Sequence, residues 1–226
     1  MEYISLNYGF SIINCIKKSF ILKLNQFKEI WLFNAYDGCQ QFILQHDIKI
    51  NQINKIIITD LKIDTIAGLL GIFSSLNLSN RNKPLHIYGP SGLAEYIDLG
   101  KKYSHTNFCY NIYMHVLTTG LIIDHSHYKI YVMIRSSFYE LSILSHEKFG
   151  KFELNKATNF YLISGPLYGK LKQNFSFILP DGSIINGNDF TNSNYIGLKK
   201  NLFINKYHIR QSVESSKNSN KVIYEF

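Results

Sequence analysis

The sequence predicts an α/β fold, and three observations between residues 55 and 93 support this prediction. The β-branched run at 56–59 is typical of a fully buried strand. Apolar residues then recur at helical spacing over 66–76, after a short polar loop at 60–65. Pro84 ends the helical pattern, and a second β-rich run follows it. Because open α/β sheets bind ligands where strands end in loops, the loop at 60–65 is the first candidate site.

The segments on either side of this unit are predicted to be mostly strands. Residues 1–34 contain apolar β-rich runs, and the short helix that follows them is expected to end near His46. Gly89-Pro90 turns the chain into a further helix, for which Ser91 is the expected N-cap. Residues 111–144 contain four short β-rich runs, which predict a meander.

Composition indicates one folded domain over residues 1–226 rather than a disordered chain. The chain is 46% hydrophobic and 15% aromatic, and its length suffices for a large core. The net charge of +8 favours an anionic partner such as RNA, but Lys also accumulates when a genome is AT-rich, and we weigh these explanations evenly. Cys15, Cys39 and Cys109 lack C-x-x-C spacing and are expected to be reduced, and no segment has the apolar length of a membrane helix.

Two blocks of sequence match a known pattern. The first is PLHIYGPSGL at 84–93, where the pattern is P-L-x-I-Y-G-P-x-G-L. The second comprises FGKF at 149–152, GPLYGKLK at 165–172 and INGNDF at 185–190. In this order the blocks resemble ribonuclease Z, the tRNA 3′-end endonuclease of the metallo-β-lactamase superfamily. The resemblance implies a truncated metallo-β-lactamase αββα sandwich that lacks the last third of the family's length, with residues 149–192 as a projecting arm and 212–226 as a polar tail.

The loop that carries the catalytic metal in that family differs here. The family has T-H-L-H-G-D-H, and this chain has TDLKIDT at 59–65. Asp60, Lys62 and Thr65 replace the three histidines that bind zinc, and only Asp64 is retained. An ammonium offers no acceptor, and a threonine hydroxyl is a poor zinc ligand. We therefore expect no catalytic residue and no zinc in this vestigial site, which consists of Asp60, Lys62, Asp64 and Thr65.

Two interpretations of the loop remain open. Asp60 and Asp64 could share one hard cation such as Mg²⁺ or Ca²⁺, as a weak metal site of altered type. The simpler interpretation is a polar loop that caps the following helix.

The positions that match the family's other metal ligands are also changed. A later histidine would fall at 132 or 133 and the bridging aspartate at 205 or 206, and neither residue type is present there. His125 and His127 lie in a polar turn and are expected to be solvated. The other histidines considered show no spacing that indicates a site, and these are His46, His86, His105, His146 and His208.

The turn that supports the metal loop in the family has changed as well. Asn34 stands in place of an aspartate, and Tyr36 stands in place of a glycine. If that glycine needs a positive φ, strain is expected at Tyr36.

The arm supplies the expected RNA contact. In the family this region grips tRNA away from the cut site, and here Gly165, Pro166, Lys170 and Lys172 fall on the matching loop. The alternative is a rigid hairpin, with a turn at 181–182, that serves folding alone.

The resemblance thus implies a ribonuclease Z-like protein without nuclease activity, which binds tRNA or an active homologue. Because the family is typically homodimeric, a homodimer or a heterodimer with an active homologue is expected. The alternatives are an active metal-dependent tRNA 3′-endonuclease that uses the carboxylates of Asp60 and Asp64, and a relic without a biochemical role. An AT-rich composition without a transit peptide favours a plastid-encoded protein in the chloroplast stroma, with no membrane association.

Overall fold

Two β-sheets stacked face to face form the body of the protein in the computed structural model. The structure describes residues 3–6, 10–15, 19–24, 28–125, 128–134, 139–147, 149–192, 197, 199–204, 209–217 and 221–224. Helices cover the outer face of the first sheet, and the α/β class predicted from the sequence is confirmed.

The first sheet has seven strands in chain order. They are β1 (Tyr3–Leu6), β2 (Phe10–Asn14), β3 (Phe20–Leu24), β4 (Glu29–Phe33), β5 (Ile53–Ile57), β6 (Leu85–Gly89) and β7 (Ile112–Val116). The first four pair antiparallel, and β4 to β7 pair parallel. Strand β5 lies between β4 and β6 in the parallel half, and Ile56 and Ile57 of the predicted β-branched run are buried there on opposite faces of the sheet.

Four helices follow strands of this sheet. They are α1 (Cys39–Gln45), α2 (Ile63–Ile66), α3 (Leu69–Leu78) and α4 (Leu93–Ser104). The apolar residues of α3 recur every three or four positions, so they form one buried face against the sheet. The expected N-cap of α4 at Ser91 is wrong, because the helix starts after Gly92, whose φ of 94° turns the backbone without a capping side chain.

The second sheet has five strands in the order β14, β13, β10, β9, β8. These are β8 (Gly120–His125), β9 (Tyr128–Ile134), β10 (Tyr139–Ser145), β13 (Lys199–Ile204) and β14 (Lys221–Tyr224). The predicted meander over 111–144 is correct for β8 to β10 only. Its first run, Ile112–Val116, instead pairs parallel with β6 and ends the first sheet.

Aromatic residues join the two sheets. Trp31 on β4 and Tyr128 on β9 are both fully buried, and their rings meet edge to face with centroids 5.1 Å apart. Phe20 and Phe33, on neighbouring strands of the first sheet, stack at 4.1 Å in the same layer. This layer is distinct from the core between the first sheet and its helices.

Residues 149–192 fold around a small core of their own. They contain α5 (Leu154–Asn159), α6 (Pro166–Lys172) and a hairpin of β11 (Ser176–Ile178) and β12 (Ile184–Asn186). The four buried residues of this core are Ala157, Leu171, Ile185 and Phe190. Backbone hydrogen bonds between 151–153 and 190–192 close the two ends of the segment against each other.

The segment 212–226, expected as a polar tail, contributes regular structure. Helix α7 (Ile209–Ser216) contacts β13, and β14 then pairs parallel with β13. Val222, Ile223 and Tyr224 are of residue types enriched in strands, and pairing with β13 places them in the second sheet.

Gly68 gives a test of the packing between the turn after β4 and the start of α3. A Cβ at Gly68 would collide with the Tyr36 carbonyl oxygen and would lie 2.5 Å from Cys39 Sγ. We expect Gly68→Ala to lower the free energy of unfolding by about 2–3 kcal/mol, because backbone must move to make room. Urea unfolding would measure this change.

Gly71→Ala is the matched control in the same helix. Its Cβ would meet the terminal amide of Gln40, which can rotate away. We expect a change within about 1 kcal/mol, since the helix propensity of alanine offsets the contact. Equal losses for the two variants would contradict the close-approach argument at Gly68.

Candidate functional site

The buried side-chain amide of Asn34 anchors the start of the candidate loop at 60–65. Asn34 follows β4, is fully buried and has a φ of 55°, a conformation that asparagine tolerates well. Its Oδ1 accepts hydrogen bonds from the Thr59 backbone N–H at 2.9 Å and from Thr59 Oγ1 at 3.1 Å. Its own N–H donates to the Ile57 carbonyl at 2.9 Å. The side chain of Asn34 therefore joins the ends of two parallel strands.

The turn after Asn34 continues this connection. The Ala35 N–H donates to the Thr65 carbonyl at 2.7 Å, and the Gly68 N–H donates to the Ala35 carbonyl at 2.8 Å. The strain expected at Tyr36 is wrong, since the positive φ values in this turn fall on Asn34 and Gly38. Tyr36 is buried, and burial raises the pKa of its hydroxyl to about 12, so it stays protonated.

Inside the loop, three of the four expected site residues contact one another. Thr65 is fully buried, and its Oγ1 lies 2.7 Å from the Asp60 carbonyl oxygen, from Asp60 Oδ1 and from the Lys62 carbonyl oxygen. The Lys62 N–H donates to Asp60 Oδ1 at 3.2 Å, which forms a local turn. The Lys62 ammonium lies 4.0 Å from Asp60 Oδ2. Asp64 is exposed in the first turn of α2.

These side chains do not fit the zinc pair of the family. The Asp60 carboxylate is engaged by Lys62 and Thr65, the lysine is a cation, and the threonine hydroxyl points into the loop. Across the described ranges, no three His, Cys, Asp or Glu side chains converge as a metal-binding group. We therefore derive no reaction step through zinc at this loop.

The other ligand positions give the same result where the structure describes them. Val132 is buried between the sheets and Met133 is exposed, and neither side chain supplies the imidazole that the family has there. Positions 205 and 206 lie outside the described residues, as does His127. His125 stacks on Tyr128, with ring centroids 4.4 Å apart. Burial raises the pKa of Tyr139 at the start of β10, and the charge of Asp60 acts in the same direction.

In the arm, the matching loop is a helix. Pro166 is the first residue of α6, and Gly165 precedes it in extended backbone, with open space where a Cβ would lie. Lys170 and Lys172 are exposed on either side of the buried Leu171. Because residues two apart do not share a helix face, the two ammonium groups flank the exposed side of α6 rather than forming one cluster.

One pair of side chains was missed by sequence reasoning. His86 on β6 and His115 on β7 lie with Nδ1 of the first 3.1 Å from Nε2 of the second. The two residues are 29 positions apart and come together only through the parallel register of β6 and β7. Spacing along the chain therefore carries no signal for this pair.

The layers and the loop define a protein of the metallo-β-lactamase fold, and comparisons with known proteins identify its family. The ribonuclease Z of Acaryochloris marina is 33% identical over 210 residues, which are 92% of this chain and 67% of that protein. The ribonuclease Z of Nostoc sp. strain PCC 7120 is 32% identical over 210 residues, 92% of this chain and 65% of that protein. The chain belongs to the ribonuclease Z family and spans about two thirds of the length of these relatives.

Two further comparisons concern another relative and a solved structure. A protein of Porphyra purpurea named "Uncharacterized protein ycf56" is 36% identical over 184 residues, 80% of this chain and 70% of that protein. Human tRNase Z, short form, matches in structure with a TM-score of 0.49 and 22% identity, over 64% of this chain and 62% of that chain. No family model matches the chain. None of the described helices has the length and apolar character to cross a membrane.

The Asn34 hydrogen bonds give a second testable prediction. Asn34→Ala leaves the buried N–H and hydroxyl of Thr59 without their acceptor, and we expect a loss of about 2–3 kcal/mol in unfolding free energy. Thr59→Val removes only the hydroxyl and should cost about 1 kcal/mol. Chemical denaturation of both variants checks the order. A smaller loss for Asn34→Ala than for Thr59→Val would show that the amide does not join the strands.

Proposed function

We propose that this chain binds tRNA through residues 149–192 and does not cleave it through the zinc chemistry of its family. The observation that carries the proposal is a contrast between two parts of the chain. The arm folds around its own core and exposes Lys170 and Lys172. In the loop at 60–65, by contrast, Asp60 contacts the side chains of Lys62 and Thr65.

Electrostatics support RNA as the partner of the arm. The chain carries a net charge of +8, and neutralising phosphates with lysines releases counterions, which favours binding without a sequence requirement. Lys170 and Lys172 border an exposed helix face, so they can contact two phosphates along one backbone. Open space at Gly165 and Gly169 lets a nucleic-acid backbone approach α6 closely.

The proposed location is the plastid, in the stroma. Two relatives from Porphyra purpurea and Pyropia yezoensis are both named ycf56, and their identities of 36% and 37% are above those of the ribonuclease Z proteins described above. The composition, rich in Lys, Asn, Ile, Phe and Tyr, is that expected of a gene in an AT-rich genome, as we propose for a plastid-encoded protein.

The proposed protein partner is a second chain of this family. A subunit that grips tRNA but lacks the zinc ligands can act on RNA only by presenting it to a competent site. The proposal therefore includes a heterodimer with an active homologue, or a homodimer that binds tRNA without cutting it.

The first experiment tests the arm. Affinity for tRNA is measured by filter binding or fluorescence anisotropy across a salt series, for wild type and for Lys170→Ala/Lys172→Ala. We expect about tenfold weaker binding and a salt slope smaller by about one to two, because two phosphate contacts are lost.

Lys101→Ala/Lys102→Ala is the matched control, because it removes the same charge from the last turn of α4. This control should retain affinity close to that of wild type. Equal losses of affinity in the two double variants would mean that Lys170 and Lys172 contribute only through the net charge of the protein. Unchanged affinity without Lys170 and Lys172 would contradict the proposal.

The second experiment tests the alternative of a carboxylate nuclease. Purified protein is assayed on precursor tRNA with Mg²⁺, Mn²⁺ and Zn²⁺, beside Asp64→Ala and Asp60→Ala. We expect no cleavage above that of a buffer blank, since Asp60 is already engaged by Lys62 and Thr65. Cleavage at the tRNA 3′ end that disappears in Asp64→Ala would establish the alternative instead.

A further inference from the structure

The arm exposes one tyrosine almost completely. Tyr161 comes two residues after the end of α5 and is 94% exposed, and its backbone has a φ of 54°. The Tyr161 N–H donates to the Thr158 carbonyl at 2.9 Å, and the Leu162 N–H donates to the Ala157 carbonyl at 3.1 Å. These two hydrogen bonds form the turn that ends α5, and the usual residue at the position of Tyr161 in such a turn is glycine or asparagine.

Neither the backbone nor the core favours a tyrosine at position 161. Among the described residues, seven that are not glycine have a positive φ, and five of these are Asn, Asp or His, which tolerate this conformation. The five are Asn34, Asp47, Asn80, His105 and Asn174. Tyr161 takes the same conformation with a bulky side chain that buries almost no surface in return. A residue in such a conformation without a packing reason indicates a role in binding.

Contacts within the arm hold the turn beside α6. The Tyr168 hydroxyl donates to the Leu162 carbonyl at 2.7 Å, and Leu162 packs against the core of the arm. Because Tyr168 and Lys172 are four residues apart, they share one face of α6. The exposed Lys172 therefore lies on the side of α6 that meets the turn of Tyr161.

The charges near this turn favour an anionic partner. Between 154 and 180 the chain contains three lysines and no Asp or Glu. Lys156 pairs with Glu153 at 3.0 Å, and the two lysines of α6 are exposed to solvent. Surfaces that bind single-stranded nucleic acid combine such cations with aromatic rings, because phosphates pair with the cations and bases stack on the rings.

We propose that Tyr161 stacks on an unpaired base of the RNA that the arm binds, while Lys172 contacts a phosphate nearby. The proposal rests on the proposed function, because it takes RNA as the partner of the arm. The hydrogen-bonded turn holds the backbone of Tyr161 in place, so little ordering of the backbone is needed on binding. Since every base has a stacking face, the contact selects for an accessible base and not for its identity.

The test compares tRNA affinity, measured by fluorescence anisotropy, for the wild-type full chain, Tyr161→Asn and Tyr161→Phe. Asparagine accepts the positive φ but has no ring, whereas phenylalanine keeps the ring and loses only the hydroxyl. We expect about tenfold weaker binding in Tyr161→Asn and wild-type affinity in Tyr161→Phe, because stacking depends on the ring.

Tyr103→Ala is the matched control. Tyr103 on α4 is 75% exposed, and the Lys102 ammonium lies 5.9 Å from its ring centroid, so it is also an exposed tyrosine beside a lysine. This variant should bind tRNA like wild type. An equal loss of affinity in Tyr103→Ala and Tyr161→Asn would overturn a specific role for Tyr161.

Thermal unfolding separates binding from a role in folding. Tyr161→Asn should unfold at or above the wild-type midpoint, because asparagine fits the left-handed backbone better than tyrosine does. Weaker RNA binding in a variant that is at least as stable as wild type supports the stacking contact. A lower midpoint together with weaker binding in both Tyr161→Asn and Tyr161→Phe would assign the tyrosine to the fold instead.

Two further comparisons separate this contact from the lysines and from a protein partner. The salt slope should stay at the wild-type value in Tyr161→Asn, unlike in the double lysine variant, since no phosphate contact is lost. Wild-type affinity in Tyr161→Asn, with weaker binding in the lysine variant, would overturn the stacking contact and leave the proposed function standing. A dimer in sedimentation that Tyr161→Asn dissociates, with RNA affinity unchanged, would assign the ring to a contact between two chains.

Discussion

The buried amide of Asn34 is the contact on which the arrangement of the candidate site depends. Its oxygen accepts two hydrogen bonds from Thr59 in a position without solvent access, where an unpaired N–H would be costly. It fixes the end of β4 against the end of β5, and the Ala35 backbone that follows it connects to Thr65 and Gly68. The backbone of the site is therefore held by groups that are independent of any metal.

The side chains of the loop also contact one another. Asp60, Lys62 and Thr65 interact, and the loop closes through a local turn and a buried hydroxyl. Asp60 Oδ1 thus accepts hydrogen bonds from the Lys62 N–H and from the Thr65 hydroxyl. The chain belongs to the ribonuclease Z family, and the side chains of this loop bond to one another.

The arm and the sandwich are organised around different cores. Ala157, Leu171, Ile185 and Phe190 pack together, apart from the two layers on either side of the first sheet. Backbone hydrogen bonds join 151–153 to 190–192 and so close the two ends of the arm against each other. The arm therefore folds as a unit. Among the described residues, this core shares no member with the two layers of the sandwich, which supports the proposal that the arm binds RNA independently of the loop at 60–65.

The sequence by itself determined the strand, loop and helix unit at 55–93, the hairpin around Asp181-Gly182 and the family, because periodicity and turn residues are local properties. It also predicts that Asp60, Lys62 and Thr65 stand in place of the family's zinc ligands. Only the tertiary structure decided that Ile112–Val116 completes the first sheet, that Asn34 rather than Tyr36 takes the positive φ, and that His86 meets His115. Each of these depends on which strands pair and in what register, and pairing between distant segments leaves no periodic trace in either segment alone.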